Sequence, residues 1–452
     1  MESARNGENP KIQTRLSGTM RHSALSGLVV QTFLSRHIRR FPQWQKVNTF
    51  KRIHMTDVQS PSSKPSDSGT RLMQGEPILL AGDGTSRIAG FSMNSASKGE
   101  MTHVSVRASL TSDTPLFHKL VESLEGVITH ATDKQSITIN LRQASTILMI
   151  VKPDNSFEIW VDAAAVVLKC RIKRSIAAKS AVFEQDIADI THMQFPHVEI
   201  GERDGVLCLF REAWAFGLAF DFNDGGALDR ERFERDLGSL YRALRYRHLY
   251  EVMDDPATMA ALRSKGWFPF AEIITSEFRQ LASHIKSGFN TSEIEADLVE
   301  AFDDERLNRL LERWNAKPHF VAKQALLEEA IQAFKQRRPI AVIKILLTEI
   351  EGILRDAYRA LNAGQNVKVK ALLEFAGEAG AKSAGAPDTL LFAHAFREYM
   401  QEHTFASFDP MGQPGEAGSR HAVGHGAATQ ESYTMTRALQ VILTLDQLAF
   451  YT

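Results

Sequence analysis

Near residue 226 the apolar residues of this chain change period, and that change limits what each half can fold into. Before it, short apolar runs dominate: Val104 to Leu110, Ser136 to Leu141, Thr146 to Val151, Phe157 to Val161 and Val166 to Ile172. Runs of this length, bounded by polar clusters, predict strands. After it, Arg232 to Tyr250 sets Phe233, Leu237, Leu240, Leu244 and Leu249 three to five residues apart, the spacing of one helix face. A chain of 452 residues is also too long for one ordinary core. The pattern predicts an α+β multidomain protein: a β-rich domain at 100–225, a helical connector at 226–317 and a C-terminal helical bundle at 318–452.

Within the β-rich part, Pro153-Asp154-Asn155 between two apolar runs predicts a turn. Asp204-Gly205 predicts a hairpin joining Val198–Ile200 to Val206–Phe210. Alternation from Trp214 to Phe222 puts Trp214, Phe216, Leu218 and Phe220 on one face of a closing strand. That face serves either core packing or an aromatic binding platform, and the domain's ligand or partner is not legible.

Residues 1–97 read as an arm and linker without fixed structure. Residues 59–97 are rich in Ser, Pro and Gly, a composition that cannot offset the entropy of ordering. Residues 1–54 hold ten Lys or Arg and two acidic residues around a short apolar run at Leu25–Val30. A targeting or membrane-surface segment, a basic arm, or an extension upstream of a start at Met55 each accounts for this. The other apolar stretches fall far short of the roughly 20 residues that span a bilayer, so no transmembrane helix is expected. Cys170 and Cys208 sit in apolar runs and form no close pair, which favours core thiols and a reducing, cytoplasmic setting. Formal net charge is −1 at pH 7, so any nucleic-acid site must be local.

Five helices are expected after Pro318: His319–Arg337, Ile340–Leu361, Val367–Ala376, Asp388–Gln401 and a last one from Gly424 towards Phe450. The chain lacks the glycine-lysine phosphate loop, the G-x-S-x-G elbow and the H-E-x-x-H zinc motif. What remains is Ser419-Arg420-His421-Ala422-Val423-Gly424-His425-Gly426, delivered by the Pro- and Gly-rich loop 402–421 to the expected start of the last helix. Helix N-termini favour anions, Arg offers a planar fork to phosphate oxygens, and imidazole as a group trades protons near neutral pH. His421 and His425 stand at i, i+4, yet no third ligand lies near in sequence, so neither metal nor other cofactor is expected. Glu351 on the Ile340–Leu361 helix is a candidate to orient Arg420 or His425; more simply, Glu351 and Asp356 pair with Arg355 and Arg359.

Arg420 and His425 resemble the R-x(4)-H signature of the HEPN superfamily, and His421 suits the polar position after the Arg. The Ile350–Arg355 helix and the tail Ala438–Leu448 are similar to bacterial HEPN-like proteins of unassigned function that carry an Arg-His-x-x-x-His-Gly helix; Arg211–Phe222 and Gly266–Phe270 resemble segments of uncharacterised bacterial proteins. The resemblance covers roughly residues 320–450. It implies a metal-independent endoribonuclease, a toxin or defence effector, with RNA as substrate and a homodimer that sets two Arg-His pairs in one cleft. Arg420 would hold the phosphate and His425 would move the proton. The alternative is a non-catalytic dimerising module for binding or assembly.

Overall fold

A computed structural model of the chain describes residues 75–82, 88–133, 143–223, 226–362, 367–384, 388–407, 415 and 419–452. All belong to one compact unit, Arg71–Thr452. Among the described residues ten strands form in chain order: β1 (Ile78–Leu80), β2 (Phe91–Ser92), β3 (Val104–Ser105), β4 (Arg107–Thr111), β5 (Thr146–Val151), β6 (Phe157–Val161), β7 (Val167–Ile172), β8 (Ile187–Gln194), β9 (Gly205–Glu212) and β10 (Ala215–Asp221). Six of them make an antiparallel sheet in the order β1-β6-β5-β9-β10-β4, while β2 pairs with β3 and β7 with β8.

Period-two alternation assigns the two faces of the large sheet. Ile147, Met149, Val151, Leu207, Leu209, Leu218 and Phe220 meet Phe117, Leu120, Leu124 and Ile128 of helix α1 (Pro115–Asp133). Leu148, Ile150, Val206, Cys208, Phe210 and Ala219 meet Phe233, Leu237 and Leu240 of helix α2 (Arg230–Arg245). Because helices cover both faces, β5 reads as an unbroken apolar run instead of an alternation. α2 also lies on β8 so closely that a Cβ at Gly238 would come within 2.5 Å of the Thr191 carbonyl oxygen, which requires glycine there.

Twelve further helices follow among the described residues: α3 (Arg247–Met253), α4 (Pro256–Ser264), α5 (Ser276–Lys286), α6 (Ser292–Glu300), α7 (Asp304–Asn315), α8 (Pro318–Val321), α9 (Gln324–Lys335), α10 (Pro339–Leu361), α11 (Val369–Ala384), α12 (Ala393–Tyr399), α13 (Arg420–Gly424) and α14 (Met435–Ala449). Their starts have local causes. Asp229, Asp255 and Asp303 accept backbone N–H groups as N-caps, and Pro256, Pro318 and Pro339 occupy first turns, where the missing N–H costs nothing. No described helix is long and apolar enough to cross a membrane.

α14 is the central helix: every residue from Ala438 to Ala449 is buried. Its polar side chains are matched from elsewhere in the chain. The Gln440 amide donates to the Lys265 carbonyl at 2.9 Å, and Gln447 accepts the Ala271 N–H at 2.7 Å and donates to the Leu391 carbonyl at 3.1 Å. One buried apolar cluster runs from Ala188 in β8 through Trp267, Leu310 and Trp314 to Tyr451, so the boundary drawn at 318 is no break in the core.

Several expectations need correction. The region expected to be unstructured up to 97 contains β1, hydrogen-bonded to β6, and β2; residues 1–74 and the run Ser136–Leu141 lie outside the described residues. The region read as β-rich holds the 19-residue α1. Val198–Ile200 is no strand; β9 pairs with β5 and β10, and the unforeseen β8 pairs with β7. Within the expected helical connector, the run from Ser292 to Asn315 forms two helices, the first ending at Glu300 and the second capped by Asp303.

Trp214 does not share the face of Phe216, Leu218 and Phe220, because it sits with Ala213 in the two-residue turn between β9 and β10 and is 98% exposed. Ala213 takes φ +53°, a value that a glycine reaches without a Cβ clash. Ala213→Gly is expected to stabilise the fold by up to about 1.6 kcal/mol: roughly 1–2 kcal/mol of relieved strain, less roughly 0.4–1 kcal/mol for the freer unfolded chain. The readout is a higher urea midpoint at unchanged slope. A lower midpoint would show that the turn is unstrained with alanine.

Candidate functional site

The motif segment is built around a short helix. Ser419 is its N-cap: its hydroxyl oxygen accepts the Ala422 N–H at 3.4 Å while the O–H donates to the Ala406 carbonyl at 3.1 Å. The helix stops after five residues. His425 is the C-cap, and Gly426 at φ +71° returns its N–H to the Val423 carbonyl at 3.2 Å. That left-handed residue is the usual glycine stop. The last helix then starts afresh at Met435, where the Thr434 hydroxyl accepts the Arg437 N–H at 3.1 Å. His425 is therefore not at the head of the final helix, as expected from sequence, but at the tail of a short one, and a helix N-terminus supplies no anion site here.

Arg420 is fixed by the long helix. Its Nη2 lies 2.7 Å from Glu351 Oε2, with the Glu351 side chain 12% exposed and that of Arg420 31%. The other Glu351 oxygen accepts from Arg355 at 2.6 Å, so one carboxylate stands between two guanidinium groups. Of the two orientations left open for Glu351, contact with Arg420 is the one formed. Asp356 pairs with Arg359 at 3.8 Å. Arg420 Nε and Glu351 Oε2 are both buried without a hydrogen bond, so the Arg420–Glu351 contact is an ion pair and not a hydrogen-bonded fork.

His425 is exposed between Gly424 and Gly426, and His421 is half-buried. Among the described residues neither imidazole makes a side-chain hydrogen bond or ion pair. Five residues at about 100° each turn His425 about 140° around the helix from Arg420, so the two side chains do not share a face within one copy. No group of three or more His, Cys, Asp or Glu side chains that could hold a metal occurs among the described residues.

A second Arg-His pair carries no mark in the sequence. His403 lies on the π-helical turn Met400–Thr404, its ring stacked on Tyr399 at 5.3 Å, and its Nε2 accepts from Arg437 Nη1 at 2.6 Å. Burial, with help from the Arg437 charge, pushes the imidazole down to about 3, so it is the neutral ring that accepts. Gly266, at φ +78°, packs against the pair so tightly that a Cβ would come within 2.7 Å of His403 Nε2. The partners come from helices separated by 34 residues, which no local motif records.

Three cavities among the described residues bear on where a site could lie. One, of about 310 Å³, is apolar and lies under α1, against Phe117, Val121, Ile147 and Leu209. Another, of about 480 Å³, lies beside Trp214. The third, of about 520 Å³, borders Lys173, Glu272, Glu277 and Arg306. These residues belong to a buried charge network in which Arg313 bridges Glu272 at 2.9 Å and Asp446 at 2.8 Å, and Arg306 bridges Glu272 at 3.1 Å. Burial lowers the Lys173 ammonium to about 8. Burial also works to raise Glu272, but Lys173, Arg313 and Arg306 together overcome it and hold that carboxyl below its usual range. None of the three cavities is lined by Arg420, His421, His425 or Glu351.

Both cysteines are free thiols. Burial drives Cys170 up to about 11 and Cys208 higher still, which leaves neither as a ready nucleophile. Compared with protein-family models, curated proteins and solved structures, the chain gives no significant match.

Proposed function

We propose that this protein is a metal-independent endoribonuclease of the HEPN kind, acting as a homodimer through Arg420 and His425. The observation that supports this most is the pairing with Glu351 of Arg420, which lies on the same short helical segment that ends in His425, an exposed imidazole with no side-chain partner among the described residues. Glu351 takes Nη2 and leaves Nη1 without a partner among the described residues, open to a phosphate oxygen. His425 of one copy, or of the partner copy, removes the ribose 2′-OH proton or gives a proton to the leaving 5′ oxygen. The 2′ oxygen bonds to phosphorus, the P–O5′ bond breaks, and the products are a 2′,3′-cyclic phosphate and a 5′-hydroxyl. Because Arg420 and His425 diverge around one short helix, two copies are needed to complete the site. A toxin or defence role follows from the resemblance alone.

One observation favours the second reading, a non-catalytic dimerising module: Glu351 already neutralises Arg420, as it would in a purely structural tie. Incubating the full-length protein with mixed RNA in EDTA separates the two. Cleavage with cyclic-phosphate ends, reduced about 10²-fold or more by Arg420→Ala, is the expected result. Arg420→Ala leaves Glu351 still paired with Arg355, so the helix it sits on should hold. Arg420→Lys should restore little, since a point charge lacks the fork. No cleavage by any form, in a protein that dimerises, would favour the module.

A further inference from the structure

The turn between β9 and β10 carries the most exposed large apolar side chain among the described residues, Trp214 at 98%. Every other described tryptophan is buried: Trp160 at 6%, Trp267 and Trp314 at 0%. Strained φ at Ala213 holds this indole outward at the rim of the 480 Å³ cavity, which opens between the turn, the end of β4 and helix α3. An isolated aromatic beside a concavity is the kind of side chain on which protein contacts concentrate.

Charge selects the occupant. Asp113, Glu212, Glu251 and Asp254 line the cavity against a single cationic lining residue, Arg247. Glu212 is satisfied by Arg245 at 2.9 Å and Glu251 by Arg247 at 2.6 Å. Among the described residues the other two carboxylates make no ion pair: Asp113 accepts the Thr111 hydroxyl and faces the Arg247 charge at longer range, and Asp254 makes no side-chain hydrogen bond. An indole face with two carboxylates outside any ion pair suits a guanidinium or ammonium group, which the ring quadrupole attracts from one side and the carboxylates from the other. The same acidic rim repels a phosphate backbone.

We propose that Trp214, Asp113 and Asp254 form a docking site for an Arg- or Lys-bearing segment of a partner protein, with the cation seated on the Trp214 ring. The site is distinct from the Arg420–His425 segment and does not depend on cleavage of RNA. A soluble polyamine shares the charge and the methylene stems but lacks the peptide backbone of a segment that would lie along Leu244 and Tyr250 in the same cavity.

The test uses the full-length chain labelled with 5-fluorotryptophan, its Trp214 resonance assigned by loss in Trp214→Phe. An oligo-arginine peptide is expected to shift that resonance saturably, more weakly as salt rises. Oligo-glutamate, spermine and single-stranded RNA should not match it. Trp214→Ala, and separately the pair Asp113→Asn with Asp254→Asn, should each weaken peptide binding by about tenfold or more. All three side chains are at the surface, so thermal unfolding should be unchanged. No shift with the peptide, equal effects from spermine or RNA, or affinity unaltered by the substitutions would each overturn the proposal.

Discussion

Asp446→Ala is expected to destabilise the protein by about 3–5 kcal/mol, the range for removing one partner from a buried ion pair. The carboxylate is 1% exposed on the central helix α14. It accepts from Arg313 Nε at 2.9 Å, from Arg313 Nη2 at 2.8 Å and from the Trp314 indole at 3.0 Å. Truncation leaves Arg313 Nε and the Trp314 indole without an acceptor, leaves Arg313 Nη2 with Glu272 alone, and tips the network towards positive charge, with Lys173, Arg306 and Arg313 facing only Glu272 and Glu277. It also loosens the joint that ties α7 to α14, and, through Arg313 to the Lys173 carbonyl, ties both to the strand layer. Glu251→Ala is the control: its pair with Arg247 is 57% and 59% exposed, and an exposed i, i+4 pair contributes about 0.3–0.5 kcal/mol. Urea unfolding of the two variants measures the difference. Asp446→Asn keeps one acceptor oxygen and should fall between wild type and Asp446→Ala. An Asn variant as stable as wild type would mean that the carboxyl is already protonated in the fold.

How much of this fold could be read in advance depended on where each residue finds its partner. β5, β6 and β10 were legible because an apolar strand between turns announces itself, whichever helices cover it. α1 was missed although Phe117, Leu120, Leu124 and Ile128 follow helical spacing; the neighbouring strand-like runs and an interior Gly126 hid it. β8 was missed because Asp189, Thr191 and His192 break the alternation and the ladder carries register shifts. Asp189 is tolerated there because it accepts the Leu390 N–H at 3.2 Å from 201 residues away. In α14 the apolar stripe of Leu439, Ile442, Leu443, Leu445 and Leu448 was readable. That its polar face is buried too was not, since Gln440, Asp446 and Gln447 are matched by Lys265, Arg313, Ala271 and Leu391. At the candidate site Glu351 could be read as a partner for Arg420, His425 or Arg355 without a choice among them, and the break after Gly424 was not read at all. Gly424-His425-Gly426 followed by Thr434-Met435-Thr436-Arg437 is a stop and a restart, and a helix periodicity read across it conceals both.

His425→Ala is expected to lower RNA cleavage by about 10²–10⁴-fold, the usual contribution of a general acid or base, and to leave stability unchanged within about 0.5 kcal/mol. The second half of that expectation comes from the packing. The imidazole is exposed, makes no side-chain hydrogen bond among the described residues, and is followed by Gly426, whose left-handed φ ends the helix whichever side chain precedes it. The cap contact at this position is made by the backbone N–H to the His421 carbonyl at 3.0 Å, which alanine retains. The first half depends on Arg420, which should behave differently. Arg420→Ala removes the charge proposed to hold the phosphate and should weaken RNA binding as well as turnover, whereas His425→Ala should lower turnover at unchanged binding. His403→Ala serves as the contrast: its ring is stacked on Tyr399 and bonded to Arg437, so its loss should cost stability first. Turnover and binding measured in EDTA on the three variants, beside their thermal unfolding, separate these roles. If His425→Ala cleaves as fast as wild type, the proton moves at another site, and the neutral His403 beside Arg437 becomes the next group to examine.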